Sequence, residues 1–207
     1  MTVRLNKKSL LKAVDYLEVR DRLLKLAVSK CGPPPLWKRE EGFKTLICII
    51  LEQQVSLASA KAAYEKLLRK IGSITPDNFL KLSDAELKLI GFSRQKTSYS
   101  RNLAEAIITE RLDLTGLSDL NDSRAKEQLM IIKGIGPWTA DIYLLVALGR
   151  PDIWPNGDIA LASAVQKLKG AAIRPSFEEL NRTSLKWKPW RAVAARILWH
   201  YYLSEGK

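Results

Sequence analysis

Metal ligands are scarce in this sequence. Its 207 residues include two cysteines and one histidine. Cys31 and Cys48 do not form a metal-ligand spacing, so a zinc or iron–sulfur site is not expected. The two thiols read as a reduced, intracellular pair rather than a disulfide. No apolar run approaches the ~20 residues of a membrane span. The opening "MTVRLNKKSLLKAVDYL" is basic but has no unbroken apolar stretch and no small-residue cleavage site, which argues against a secretory signal. Strand-like alternation is almost absent, and no repeat or low-complexity segment stands out. Acids are outnumbered as well: 22 Asp and Glu face 34 Lys and Arg, a net charge of +12. That surplus points to a polyanionic partner, nucleic acid before any other.

What is present is helical in period. Ser9 to Lys30 repeats apolar residues at spacings of three and four until "CGPPPLW" breaks the pattern. Phe43 to Gln54 is almost wholly apolar and reads as a buried helix. "SLASAKAAYEKLLRKIG" is a second, ending in Gly72. Ser83 and Ser93 each open a further helix, and Asp122 or Ser123 starts a short one that ends near Ile132. Pro137 to Leu148, Ile159 to Leu168, Ser176 to Thr183 and Pro189 to Ser204 complete an all-α chain.

Between two of these helices lies Lys133-Gly134-Ile135-Gly136-Pro137. Glycines allow the left-handed backbone that a tight connection needs and keep side chains away from an approaching ligand. Pro137 suits a first helical position. The N–H groups of Gly136, Trp138 and Thr139 then have no partner within the helix, which makes an anion site for a DNA phosphate. Alone, a Gly-x-Gly turn is equally an ordinary helix linker.

The wider context is more specific. "IIKGIGPWTAD" resembles the hairpin of the helix-hairpin-helix DNA glycosylases. "GRPDIWPNGDIAL" resembles the aspartate-bearing loop that follows it one helix later, with Asp158 at the aspartate. "GFKTLICIILEQQVSLASAKAAYEKL" and "WKPWRAVAARILWHYYLSEG" are similar to further helices of the bacterial 3-methyladenine DNA glycosylase II family. In order, these motifs run from about Gly42 to Gly206. The resemblance implies two helical subdomains, residues 1–35 with 141–207 and residues 36–140, with the hairpin and the active site at a cleft between them. With so few residues before the family core, the chain looks like the minimal form without the N-terminal β-rich domain.

The resemblance also implies roles. Asp158 is the catalytic carboxylate, although an Asp before an apolar helix is also a favoured N-cap. Trp138 and Trp199 match the aromatics of the base pocket. Ile142 stands where relatives carry a tyrosine, which puts the range of bases in question. On periodicity alone, Trp138 would instead pack in the core with Ile142 and Leu145. Gln54 falls at the position of the side chain that fills the space left by an extruded base. Lys133, Gly134, Ile135, Gly136 and Thr139 form the DNA-binding hairpin, and the backbone carbonyls of Met130, Ile132 and Ile135 would hold a structural Na+ or K+. Lyase members hold a lysine two residues after the second hairpin glycine; Trp138 occupies that place here, which implies a monofunctional glycosylase. Further backbone contacts are expected from "RQKTSYSR", Lys186, Lys188 and Arg191. His200, in an apolar helix, reads as a packed or surface residue.

The function expected is therefore base excision of alkylated purines from double-stranded DNA by a cytoplasmic, bacterial-type monomer, with no cofactor needed for chemistry and no membrane partner. Two alternatives remain at this level: a glycosylase for deaminated, oxidised or mismatched bases, and a non-catalytic DNA-binding module.

Overall fold

The computed structural model describes residues 4–205. Those residues form helices α1 (Lys7–Arg20), α2 (Arg22–Cys31), α3 (Phe43–Glu52), α4 (Leu57–Ile71), α5 (Pro76–Leu80), α6 (Asp84–Ile90), α7 (Arg94–Ile108), α8 (Asp122–Met130), α9 (Pro137–Val146), α10 (Ile159–Lys169), α11 (Phe177–Ser184) and α12 (Arg191–Ser204). No strand occurs among the described residues, and no helix there is long and apolar enough to cross a membrane.

The helix ends follow local chemistry. Ser83 and Ser176 open α6 and α11 with reciprocal capping boxes to Glu86 and Glu179. Ser93 caps α7 by accepting the N–H of Lys96. Gly72 and Gly170 end α4 and α10 with positive φ angles of 70° and 61°. Two elements depart from expectation. The periodic run from Ser9 to Lys30 is two helices, because Asp21 leaves the helical conformation (φ −139°, ψ 110°) and its carboxylate caps α2 through the N–H groups of Leu23 and Leu24. The short α5 was not expected at all. It starts at Thr75, whose hydroxyl accepts from Asn78, with Pro76 in the first turn.

The chain forms two compact units, residues 39–148 and residues 4–38 with 149–205. The expected boundary at 140/141 would cut α9 within its second turn, and residues 141–148 belong instead with the central unit. The other boundary likewise shifts, from 35/36 to 38/39.

In the central unit α3 is the core helix: Leu46, Ile47, Ile49, Ile50 and Leu51 are buried, and the helix packs on α4, α7 and α9. Each such side chain contributes about 1.5–3 kcal/mol through burial. In the other unit α12 is central. Every residue from Ala192 to Leu198 is buried, and the alanines let α10 and α2 pack closely against it. The one charge in that run, Arg196, donates from Nε to the Leu36 carbonyl at 2.9 Å and from Nη1 to the Ala192 carbonyl at 3.1 Å. Burial pushes its guanidinium down to about 10.

Candidate functional site

The residues singled out from the sequence fall in two groups, one in each unit. The first is the turn between α8 and α9. Gly136 is the N-cap of α9, Pro137 its first residue, and no side chain caps it. The helix N-terminus thus presents backbone N–H groups at the end where a negative charge is favoured. The two glycines differ. Gly134 has φ +103°, and a Cβ there would overlap the ring of Tyr99. Gly136 has φ −83° and nothing within 4 Å of the place where its Cβ would be. The close approach required of Gly134 is therefore that of Tyr99, an intramolecular one.

Side chains hold this turn and the two helices it joins. Gln53 Nε2 donates to the Gly134 carbonyl at 3.2 Å and to Thr139 Oγ1 at 2.9 Å. Lys126 on α8 meets buried Asp141 on α9, with Nζ 2.7 Å from Oδ1 and 2.8 Å from Oδ2. Tyr143 Oη accepts the N–H of Gly42 at 2.8 Å, and burial pushes its hydroxyl up to about 12. Sequence reasoning missed Gln53, Lys126 and Asp141. The available signal was a polar residue directly after a buried apolar helix, and a lysine and an aspartate on the two helices flanking one short turn.

The residues singled out on this side separate by exposure. Lys133 and Gln54 are exposed, and Gln54 adopts the left-handed region at φ +55°. Thr139 is buried with its hydroxyl engaged by Gln53, so only its backbone is available to a phosphate. Ile132, Ile135 and Ile142 are buried, Met130 is exposed and Trp138 is half-buried. Trp138 is thus less enclosed than Ile142 and Leu145, with which a core role would group it. Of the "RQKTSYSR" cations, Lys96 donates to the Leu51 carbonyl at 2.6 Å, and burial lowers its ammonium. Arg101 binds Asp84 and the Leu82 carbonyl. Both are committed within the unit, whereas Arg94 is exposed.

The second group surrounds Asp158. This residue is 8% exposed and is the N-cap of α10. Its Oδ1 accepts the Leu161 N–H at 3.0 Å and the indole N–H of half-buried Trp199 at 3.2 Å. The loop before it is anchored at several points. Leu5 donates its N–H to the Gly149 carbonyl, Ala192 to that of Pro151, and Arg191 holds Asp152 with Nε and Nη2 at 2.9 Å. Trp154 packs on buried Trp187 with ring centroids 5.3 Å apart. Trp187 Nε1 in turn donates to Asp21 Oδ2 at 2.6 Å, and Lys186 Nζ stands 2.7 Å from the same oxygen. Arg191 and Lys186, expected as phosphate contacts, are therefore tied to Asp152 and Asp21; Lys188 is exposed. His200 Nε2 donates to the Cys31 carbonyl at 2.9 Å and the ring meets Trp37 edge to face, which makes it a packed residue.

The carboxylate at the start of α10 and the glycine turn before α9 both lie in the stretch of chain that known proteins match. The profile of the HhH-GPD superfamily of base excision DNA repair proteins matches residues 47–189, which include both. The chain belongs to the HhH-GPD superfamily. Among its relatives, the DNA-3-methyladenine glycosylase of Bacillus subtilis is 27% identical over 191 residues, or 86% of this chain. The chain spans about six-tenths of the length of its Bacillus subtilis relatives, 58% and 63%. Solved structures agree in fold. The Schizosaccharomyces pombe 3-methyladenine DNA glycosylase in complex with abasic DNA has a TM-score of 0.85 and 26% identity, covering 91% of this chain and 95% of its own. The DNA-3-methyladenine glycosidase of Bacillus halodurans has a TM-score of 0.74 and 28% identity, covering 95% of this chain and 90% of its own. Residues 133–137 and 149–158 both lie inside the matched region.

Proposed function

We propose that this chain is a monofunctional DNA glycosylase that releases alkylated purines of the 3-methyladenine class from duplex DNA, leaving an abasic site for base excision repair. The observation that carries the proposal is the setting of Asp158: a carboxylate 8% exposed, at the N-terminus of α10, its Oδ1 held by two N–H groups. The names of the Bacillus and Schizosaccharomyces relatives support the substrate class.

The chemistry follows from the base. A purine alkylated at N3 or N7 is cationic, so it leaves without being protonated first. When the bond from C1′ to the purine nitrogen breaks, its electron pair goes to the base and neutralises it. Positive charge then develops on the sugar, and a fixed carboxylate in a dry setting stabilises it. Water adds to C1′ and loses a proton to the carboxylate. Asp158 serves both needs, and no cofactor is required.

Before that step the nucleotide must leave the stack, at a cost of a few kcal/mol. An aromatic face returns about 1–3 kcal/mol by stacking, and a desolvated cation over an indole gains about 2 kcal/mol. Trp138 and Trp199 supply indoles for this, which favours cationic over neutral bases. Gln54 is exposed beside the braced turn and suits the space an extruded base vacates. The N–H groups at the start of α9 suit a phosphate. Trp138 stands where a lyase would carry its lysine, so no Schiff base forms.

A monovalent cation belongs to the same proposal, held by the carbonyls of Met130, Ile132 and Ile135. The Ile132 carbonyl accepts the Ile135 N–H at 2.9 Å. A carbonyl has two lone pairs, so this bond is compatible with ligation. The ion would add positive charge at the phosphate-facing turn.

The test is release of free base from duplexes carrying a single 7-methylguanine, 3-methyladenine, hypoxanthine or 8-oxoguanine. Release of the methylated purines is expected, with the strand breaking only after alkali and no covalent complex trapped by borohydride. Release of hypoxanthine or 8-oxoguanine alone would reassign the substrate. Binding without release from any duplex would leave a DNA-binding module, and an efficient borohydride cross-link would overturn the monofunctional reading.

A further inference from the structure

An N-cap aspartate needs one hydrogen bond, from its carboxylate to an N–H in the first turn. Asp158 makes that bond to Leu161 and then accepts a second N–H on the same oxygen, from an indole that comes from a different helix. The cap bond ties the carboxylate to α10. The indole bond approaches from α12 and adds a second constraint, from a different element, on its rotation about Cβ–Cγ. Both donors stand on rigid elements: Leu161 is buried in α10, and Trp199 follows a run of seven consecutive buried residues in α12. That helix is held at its start by the Arg191–Asp152 pair and at its middle by Arg196 on the Leu36 carbonyl.

We propose that Trp199 is a positioning residue for Asp158, its indole N–H orienting the reacting carboxylate. This rests on the assignment of Asp158 as the reacting group. The role is distinct from stacking. Stacking uses the face of the indole and is shared by any aromatic ring, whereas positioning uses its edge and requires the N–H. A preorganised carboxylate stabilises developing charge without reorganising during the reaction, and that advantage is lost once it can rotate. A third role, in which Asp158 only satisfies a half-buried indole, would have no effect on rate.

The three roles separate in a double-mutant cycle with Trp199→Phe and Asp158→Asn, read by single-turnover release of 7-methylguanine and 3-methyladenine at saturating enzyme. Affinity for a duplex carrying an uncleavable 2′-fluorinated 7-methylguanine nucleotide, which keeps the base that stacking would hold, is measured in parallel. Trp199→Phe keeps an aromatic face and loses the N–H. The expected result is a rate about 10- to 100-fold lower, the range for one hydrogen bond to a charged group. The factor should be the same for both bases, with affinity within about threefold of wild type. In the Asp158→Asn background the same change should cost less than about threefold, because no carboxylate remains to be oriented.

A Trp199→Phe enzyme at the wild-type rate overturns the proposal, as does an equal loss in both backgrounds or a loss that appears in affinity. If Asp158→Asn alone runs at the wild-type rate, the assignment of Asp158 falls and the positioning role falls with it. If Asp158→Asn is slow and Trp199→Phe is not, only the positioning role falls. Should the Phe variant melt early, a benzothienylalanine at position 199 repeats the test in the same volume, with sulfur in place of the N–H.

Discussion

Gly134 and Gly136 are two residues apart, yet the structure gives them different tasks. Gly134 is confined by its positive φ and by the ring of Tyr99. Gly134→Ala should cost about 2–5 kcal/mol, combining a strained backbone with overpacking. Part of that cost should vanish in a Tyr99→Ala background, where the clash is gone. Gly136 has an ordinary φ and open space, so Gly136→Ala should stay within about 1 kcal/mol of wild-type stability. Its new methyl group would nonetheless stand beside the N–H groups offered to phosphate, and duplex affinity should fall about tenfold, worth about 1.4 kcal/mol. Thermal melts and binding titrations on both variants check this. Wild-type affinity in Gly136→Ala would contradict a backbone grip on phosphate. The sequence made the turn legible through its Gly-x-Gly-Pro order, but Tyr99 lies on another helix, and no local pattern tells the two glycines apart. Asp158 was legible in the same way, as a cap position before an apolar helix; the edge of Trp199 that meets it was not.

Among the elements, caps carried most of what was legible, since Ser83, Ser93 and Ser176 act through neighbours three residues away. The break at Asp21 was hidden because the apolar spacing of three and four continues through it. What decides it is tertiary: buried Asp21 also accepts Trp187 and pairs with Lys186. Burial alone would raise its carboxyl, but the bonds from Lys186, Trp187, Leu24 and Leu23 outweigh that and hold it below the ordinary value of 3.8. A carboxyl lowered by folding stabilises the native state above its unfolded value and loses that contribution as pH falls through the folded one. Asp21→Asn keeps a capping oxygen and loses the charge. It should destabilise by about 2 kcal/mol at neutral pH, the scale of a hydrogen bond to a charged group. The gap between variant and wild type should close as the pH falls below the ordinary aspartate range. Chemical denaturation of both proteins across pH measures it, and a gap constant down to strongly acidic pH would refute the charge-based explanation. The short α5 escaped notice because five residues give no period to read.

At the scale of the whole molecule, composition was informative about class and partner, and less so about partition. The +12 charge survives the finding that Lys96, Arg101, Lys186 and Arg191 are engaged internally, because Lys133, Arg94 and Lys188 remain exposed. Affinity for undamaged duplex should therefore fall linearly with salt on logarithmic axes, with a slope of about −3 to −5 for four or five phosphates; a slope near zero would exclude a phosphate-driven grip. Both expected boundaries shift, the second by more, since α9 runs unbroken from the hairpin to Val146 and residues 141–148 fall in the central unit. The central claim, that the chain hydrolyses a glycosidic bond through one carboxylate, depends on Asp158, and Asp158→Asn isolates it. Asn caps a helix about as well as Asp and can still accept from Leu161 and Trp199, so the fold and the loop should persist. Only the charge facing the developing cation is lost. The measurement is single-turnover release of 3-methyladenine by wild type and Asp158→Asn, with melting temperatures for both. The expected result is a folded variant slower by about two to three decades; a folded variant within about threefold of the wild-type rate, well under 1 kcal/mol, would contradict the assignment.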